Sequence, residues 1–200
     1  MEFDEKGLIE QCRNGDVAAF ENLVLLYEKK VFNVAYRMLG NKDDASEIAQ
    51  EVFVKVFVSI NQFKGKSSFS TWVYRITVNM CLDEIRKRKK VSLIYINEGI
   101  SLDDGEVEMQ IATDAPGPDE MAELSELQRT VTKAILLLSE EQRTVIILRD
   151  IQGLSYKEIA EIIKCPSGTV KSRVNRARAA LKHILEELKE PFSAQYVKDI

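Results

Sequence analysis

Between Lys164 and Leu185 the chain carries six basic side chains (Lys164, Lys171, Arg173, Arg176, Arg178 and Lys182) and no acidic one. Val170, Val174, Ala177 and Leu181 follow one another at i, i+4, i+7 and i+11, the spacing of one buried helix stripe. Lys171, Ser172, Asn175, Arg176 and Arg178 then share the opposite face. A helix lying in the major groove of duplex DNA needs such a face: cations for phosphate, and arginine or asparagine for base edges. A face that is merely solvated usually mixes charges of both signs. Upstream, Ile159 and Ile162 point inward from a short helix, small Ala160 allows close approach, and Cys165-Pro166-Ser167-Gly168 forms a tight turn. Residues 155–181 therefore have helix-turn-helix form.

A second cluster points to single-stranded DNA. Phe63, Phe69, Trp72 and Tyr74 fall within twelve residues, interleaved with Lys64, Lys66 and Arg75, and the run Arg86-Lys87-Arg88-Lys89-Lys90 follows. Aromatic faces stack bases and cations hold the backbone. The same spacing also fits Trp72 and Ile76 as core residues, and the basic run also fits a helix end that complements its dipole. Asp43, Asp44, Glu47 and Glu51 have the composition of a metal cluster. Helical spacing without a neighbouring histidine makes them a docking face instead. His183, the single histidine, has no evident acid–base or metal partner in the sequence. No phosphate-binding loop, dinucleotide fingerprint, zinc-protease or serine-hydrolase motif occurs. The reading is of a chain that is not an enzyme, with no cofactor and no metal.

These residues must be positioned by helices. Asp16 caps a helix whose stripe is Phe20, Leu23, Val24, Tyr27, Val31, Val34 and Met38, ended by Gly40-Asn41. Asp43-Asp44 open the next helix. Its run from Val52 to Val58 has strand propensity, but some 18 residues without a turn signal favour a helix buried on much of its surface. Asn61–Ser70 is a polar loop, and Ser70 is placed to cap a third helix ending in the basic run. Further on, a helix spans about Pro118 to Leu138. Ser139-Glu140-Glu141-Gln142 and Ser155-Tyr156-Lys157-Glu158 are capping boxes, and a last helix runs from about Thr169 to Lys189, with Pro191 ending it. The fold class is all-α, without strand–helix alternation.

The 200 residues are 45% hydrophobic and 30% charged, enough to bury a core. The net charge of −4 is unevenly spread. Residues 1–90 hold 15 basic and 13 acidic groups, residues 91–126 none and 10, and residues 127–200 hold 13 and 9. Two blocks, 1–90 and 127–190, thus flank an acidic linker at 91–126, with a short tail at 191–200. The linker shows no helical period before about Pro118 and reads as extended, either a plain spacer or something more specific. Three cysteines (Cys12, Cys81, Cys165) without C-x-x-C spacing exclude a disulfide framework and fit free thiols in a reducing cytosol. No apolar run reaches the roughly 18 residues of a membrane span, and the acidic start carries no secretory signal.

Taken together, AFENLVLLYEKKVFNVAYRMLGN, DDASEIAQEVFVKVF, FKGKSSFSTWVYRITVNMCLDEIRKR and LSEEQRTVIILRDIQGLSYKEIAEIIKCPSGTVKSRVNRARAAL resemble the extracytoplasmic-function sigma factors, group 4 of the sigma-70 family of bacterial RNA polymerase. The resemblance covers residues 8 to 188. FSTW-x-YRI with an asparagine four residues on, and GTVKSR-x-x-RAR, form a specific pair. The resemblance implies two helical domains. The first would dock on core RNA polymerase, at the beta-prime coiled coil, through Asp44, Glu47, Gln50 and Glu51. Glu47 stands where the family frequently has an aspartate. The loop 61–70 would capture a flipped base of the minus-ten element, and the helix around Asn79 would meet the melted strand. Phe63, Lys64, Lys66, Ser67, Phe69, Trp72, Tyr74, Arg75, Asn79, Arg86 and Arg88 make up that set. The second domain would meet the beta flap and read the minus-thirty-five duplex through Thr169, Lys171, Ser172, Arg173, Asn175, Arg176 and Arg178. The linker would thread past the polymerase cleft. An anti-sigma inhibitor, often membrane-anchored, would hold a cytoplasmic chain near the inner membrane face without inserting it.

Energetics favour a polymerase subunit over an autonomous melter. Opening a base-pair step costs about 1.4 kcal/mol of stacking. Stacking a base on an aromatic returns roughly 1–3 kcal/mol. A few aromatics without an ATP motif can trap a short bubble but not drive one. The competing readings are a stand-alone helix-turn-helix regulator and, more remotely, a helical metal-dependent nuclease using Asp43, Asp44 and Glu47.

Overall fold

The computed structural model describes residues 4–97 and 118–194, and every regular element in them is helical. The α-helices are α1 (Glu5–Arg13), α2 (Val17–Leu39), α3 (Lys42–Ser59), α4 (Phe69–Asn97), α5 (Pro118–Leu137), α6 (Glu140–Ile146), α7 (Tyr156–Ile163) and α8 (Ser167–Ala194). A 3-10 turn at Ile60–Gln62 follows α3, and a π-helical segment, Ile147–Ile151, continues α6.

Local chemistry sets most boundaries. The Asp16 carboxylate accepts from the Ala19 amide at 3.1 Å and opens α2. Gly40 closes it at φ +80°, and a Cβ there would lie 2.8 Å from Leu136 Cδ1, so both backbone and space call for glycine. Asn41 accepts from the Asp43 and Asp44 amides at 2.8 and 3.1 Å and caps α3. The boxes at Ser139 and Ser155 are both closed.

Five expectations are corrected. Ser68, not Ser70, caps α4: its Oγ accepts from the Thr71 amide at 3.1 Å, because Phe69 enters the core in the first turn. The run in α3 is buried along one stripe only: Val52 and Val56 are inside, whereas Val54, Phe57 and Val58 are exposed. Lys164 takes the turn after α7 in the left-handed region at φ +53°, so α8 starts at Ser167. Pro191 does not end α8, which runs to Ala194; a proline removes one main-chain bond and bends a helix without necessarily stopping it. The linker is helical where it begins, since α4 extends past the basic run to Asn97; α5 begins at Pro118, where the periodicity places it. Residues 98–117 and the tail after Ala194 lie outside the described residues. Helix α1 has no counterpart in the periodicity; it is short, burying Ile9 and Cys12 with Leu8 packed beside them.

Helix α2 is the hub of the first group, packing against α1, α3 and α4. Helices α6, α7 and α8 form the second, with α5 along α8. The groups also pack on each other, α4 against α7 and α2 against α5, so that one hydrophobic core runs from Ile9 to Ala177. Polar bonds cross the same boundary. Tyr74 donates to Gln152 Oε1 at 2.8 Å, and Arg143 Nη1 donates to the Met38 carbonyl at 2.6 Å.

Candidate nucleic-acid and docking interfaces

The helix-turn-helix is built from the inside out. Ile159, Ile162, Val170, Val174 and Ala177 are buried, which turns the opposite face of α8 outward. Lys171, Ser172, Asn175, Arg176 and Arg178 are exposed there, with Thr169 and Arg173 half-buried at the edges. The cations are not equivalent. Arg178 is held by Asp150, with Nε–Oδ2 at 3.0 Å, and this bond raises its pKa further. Arg173 pairs with Glu141 at 3.6 Å. Among the described residues no carboxylate pairs with Lys171 or Arg176, and Arg176 Nε reaches only the Ser172 carbonyl at 3.4 Å. Sequence reasoning missed both acidic partners because they lie far back in the chain. The α7 end is fixed by Glu158, whose pKa is lowered by its bonds to the Ser155 hydroxyl and amide.

The aromatic cluster is where structure and expectation part. Phe63, Phe69, Trp72 and Tyr74 are all buried, between 3% and 8% exposed. Phe63 and Phe69 rings sit 5.4 Å apart, Phe63 and Trp72 5.4 Å, Phe69 and Trp72 5.6 Å, and Tyr27 closes on Phe69 at 5.5 Å. The correction is that these four rings are core in this structure and offer no free stacking face. What they do is floor the loop. Above them Lys64, Gly65 and Lys66 are exposed and Ser67 is half-exposed. Beyond the loop, Asn79 and Arg86 are exposed on α4 and Arg75 is half-buried. Asn79 and Arg86 line a cleft of about 330 Å³ that Arg173 and Lys164 of the second group also border.

On α3, Glu47, Gln50 and Glu51 are exposed. Asp44 is not free: Arg88 Nη1 lies 2.6 Å from its Oδ2, and this bond holds the Asp44 carboxyl below the usual carboxylate range. One expected docking residue and one expected strand-binding residue thus neutralise each other. Sequence reasoning missed the apolar part of this face. Val54, Phe57 and Val58 are 64%, 44% and 72% exposed, and an apolar groove between α2 and α3 passes Phe32, Ala49, Gln50 and Phe53. An acidic edge beside exposed apolar side chains is suited to another protein surface. Among the described residues no three His, Cys, Asp or Glu side chains come together to hold a metal ion. His183 stands 3.5 Å from Glu187, one exposed turn on. No described helix is long and apolar enough to cross a membrane.

Comparison with known proteins matches two segments of the chain. Residues 23–91 match Sigma-70 region 2, and residues 128–181 match Sigma-70, region 4. The ECF RNA polymerase sigma factor SigW of Bacillus subtilis is 40% identical over 94% of this chain and 100% of its own length. The ECF RNA polymerase sigma-E factor of Escherichia coli K12 is 35% identical over 90% of this chain and 94% of its own. Among solved structures, the sigma factor RpoE in complex with the anti-sigma factor NepR from Bartonella quintana aligns with a TM-score of 0.65 and 27% identity, covering 84% of this chain and 96% of that one. CnrH, solved in complex with the cytosolic domain of CnrY, shares the fold at a TM-score of 0.67 and 23% identity over 92% of this chain and 97% of that one. An all-helical chain with a region 2 and a region 4, aligned nearly end to end with such relatives, belongs to the extracytoplasmic-function sigma factors of the sigma-70 family and is a transcription initiation factor.

Proposed function

We propose that this chain docks on core RNA polymerase through the exposed strip of α3, reads duplex minus-thirty-five DNA with α8, and opens the minus-ten element with the 61–70 loop and α4. The working units are residues 1–90 and 127–190, bridged by the acidic linker. The observation that carries the reading is the outer face of α8, where Lys171, Asn175 and Arg176 stand exposed on the helix-turn-helix and, among the described residues, no carboxylate pairs with either cation. Footprinting tests it. The isolated chain protects promoter DNA weakly, and core polymerase restores protection and opening. A full footprint without polymerase would favour a stand-alone regulator.

Arg176 is the base reader and Lys171 a phosphate contact. Arg176→Ala costs about 1–3 kcal/mol and relaxes preference at one base pair, whereas Lys171→Ala weakens all sequences alike and lowers the salt slope by about 1. Arg178 and Arg173 reach phosphate only by giving up Asp150 and Glu141, so their removal costs less. Unchanged selectivity in Arg176→Ala on a randomised minus-thirty-five library would move the base reader elsewhere.

Gln50→Ala combined with Glu51→Ala reduces affinity for core polymerase while leaving the thermal transition in place, since both side chains are exposed. Equal retention of both proteins on immobilised core enzyme would remove this face from the docking surface. The relatives solved with anti-sigma proteins support an inhibitor for this chain too. A membrane-anchored inhibitor would hold it at the inner face of the membrane. In that reading the cytoplasm is where the freed factor works, with no cofactor.

A further inference from the structure

We propose that Arg13, on the N-terminal helix α1, is a positioning residue for the minus-ten loop. The inference rests on the proposed reading of residues 61–70 as the base-capturing loop. Its guanidinium grips the loop where the chain leaves the 3-10 turn. Nη2 donates to the Phe63 main-chain carbonyl, Nη1 pairs with Glu10, and the guanidinium carbon lies 6.0 Å over the Phe63 ring. Phe63 is buried at the entry of the loop, Ser68 caps α4 at its exit, and Gly65 reverses the chain between them at φ +67°. The entry is therefore held from another helix as well as by the Phe63 ring packed on Phe69 and Trp72.

The same contact shapes a cavity. Lys6, Glu10 and Arg13 of α1 and Phe63, Gly65 and Ser67 of the loop line a cleft of about 570 Å³ that opens to solvent. That lies within the roughly 300–1,000 Å³ of small-ligand sites, with charged side chains of both signs beside the Phe63 and Phe69 rings. The far end of α1 is tied down as well, since the Tyr27 hydroxyl donates to Glu5. With α1 pinned at both ends, the Arg13 fork sets the distance between the α1 wall and the loop. Two donors used on two partners, plus a ring contact, is a grip lysine cannot reproduce.

The test uses the full chain with core polymerase and compares Arg13→Ala, Arg13→Lys and Lys66→Ala. Open-complex formation is followed by permanganate reactivity on a preferred minus-ten sequence, on single-base variants of it, and on a pre-melted template. Arg13→Ala is expected to lose about tenfold in discrimination between minus-ten sequences on both template types. Minus-thirty-five binding and core affinity stay unchanged. Arg13→Lys, which keeps the charge and is expected to fold, shows the same loss of discrimination. Full discrimination in both Arg13 variants, with Lys66→Ala still altering minus-ten preference, would overturn the role of Arg13 and leave the loop reading standing. Full discrimination in all three would overturn both. Equal losses at the two promoter elements in Arg13→Lys would mark a folding role and also overturn the proposal.

Discussion

Replacing Arg143 with alanine lowers stability by about 3 kcal/mol, the loss expected when several hydrogen bonds from a half-buried charged group are removed. Arg143 answers a problem that two helices share. The last carbonyls of any α-helix have no partner within the helix. Met38 lies at the end of α2, and Leu136 and Leu138 flank the end of α5. Arg143 Nη1 takes the Met38 carbonyl at 2.6 Å, and Nη2 takes the carbonyls of Leu136 and of Leu138, the latter at 3.2 Å. A cation among helix C-termini also suits their dipoles. The cost is visible in the same side chain: burial lowers its pKa, and Nε has no hydrogen-bond partner among the described residues. Because Met38 belongs to the first group and Arg143 to the second, the variant should also uncouple them. At this length about 3 kcal/mol corresponds to a fall of roughly 6–12 °C in Tm. Trp72, the single tryptophan, reports on the first group, and far-ultraviolet circular dichroism reports on both. In the native protein the two transitions coincide; in Arg143→Ala they separate. Coincident transitions at an unchanged Tm would show that the guanidinium couples nothing.

The features legible in sequence are those whose physics is local. A cap needs a carboxylate or hydroxyl within a few residues of free amides, so Asp16, Ser139 and Ser155 are found by spacing alone. The buried stripe Val170, Val174 and Ala177 follows from helix geometry, and with it the outward face of α8. Features that depend on distant chain segments are not legible. Asp150 reaches Arg178 and Asp44 reaches Arg88 only after folding, so spacing cannot tell a free cation from a paired one. Val54, Phe57 and Val58 read as core because propensity knows residue type and not which face is covered. The aromatic cluster was ambiguous for the same reason: rings beside cations describe a stacking platform and a core beneath a basic loop equally well. Burial decides for the core, and it does so because Tyr27 of α2 and the Phe63 turn close over Phe69 from two sides.

That outcome separates two substitutions that the sequence would treat alike. Phe69→Ala removes a ring that is 3% exposed and meets Tyr27, Phe63 and Trp72 within 5.6 Å. Truncating a buried phenylalanine costs about 3–5 kcal/mol, through lost transfer energy and the cavity left behind. Total stability is only about 5–15 kcal/mol. The variant should therefore lose much of its fold and fall in minus-ten opening, core binding and minus-thirty-five binding together, since the core is continuous with α7 and α8. Lys66→Ala, on the exposed crest of the same loop, changes stability by less than about 0.5 kcal/mol and affects minus-ten opening alone. Urea unfolding followed by Trp72 fluorescence, run beside permanganate footprinting, reads both quantities on the same proteins. The informative reversal is a Phe69→Ala protein with a native unfolding midpoint and no minus-ten opening. Such a protein would mean that the ring leaves the core to stack on a base when the factor works, and that the packed cluster is its resting arrangement.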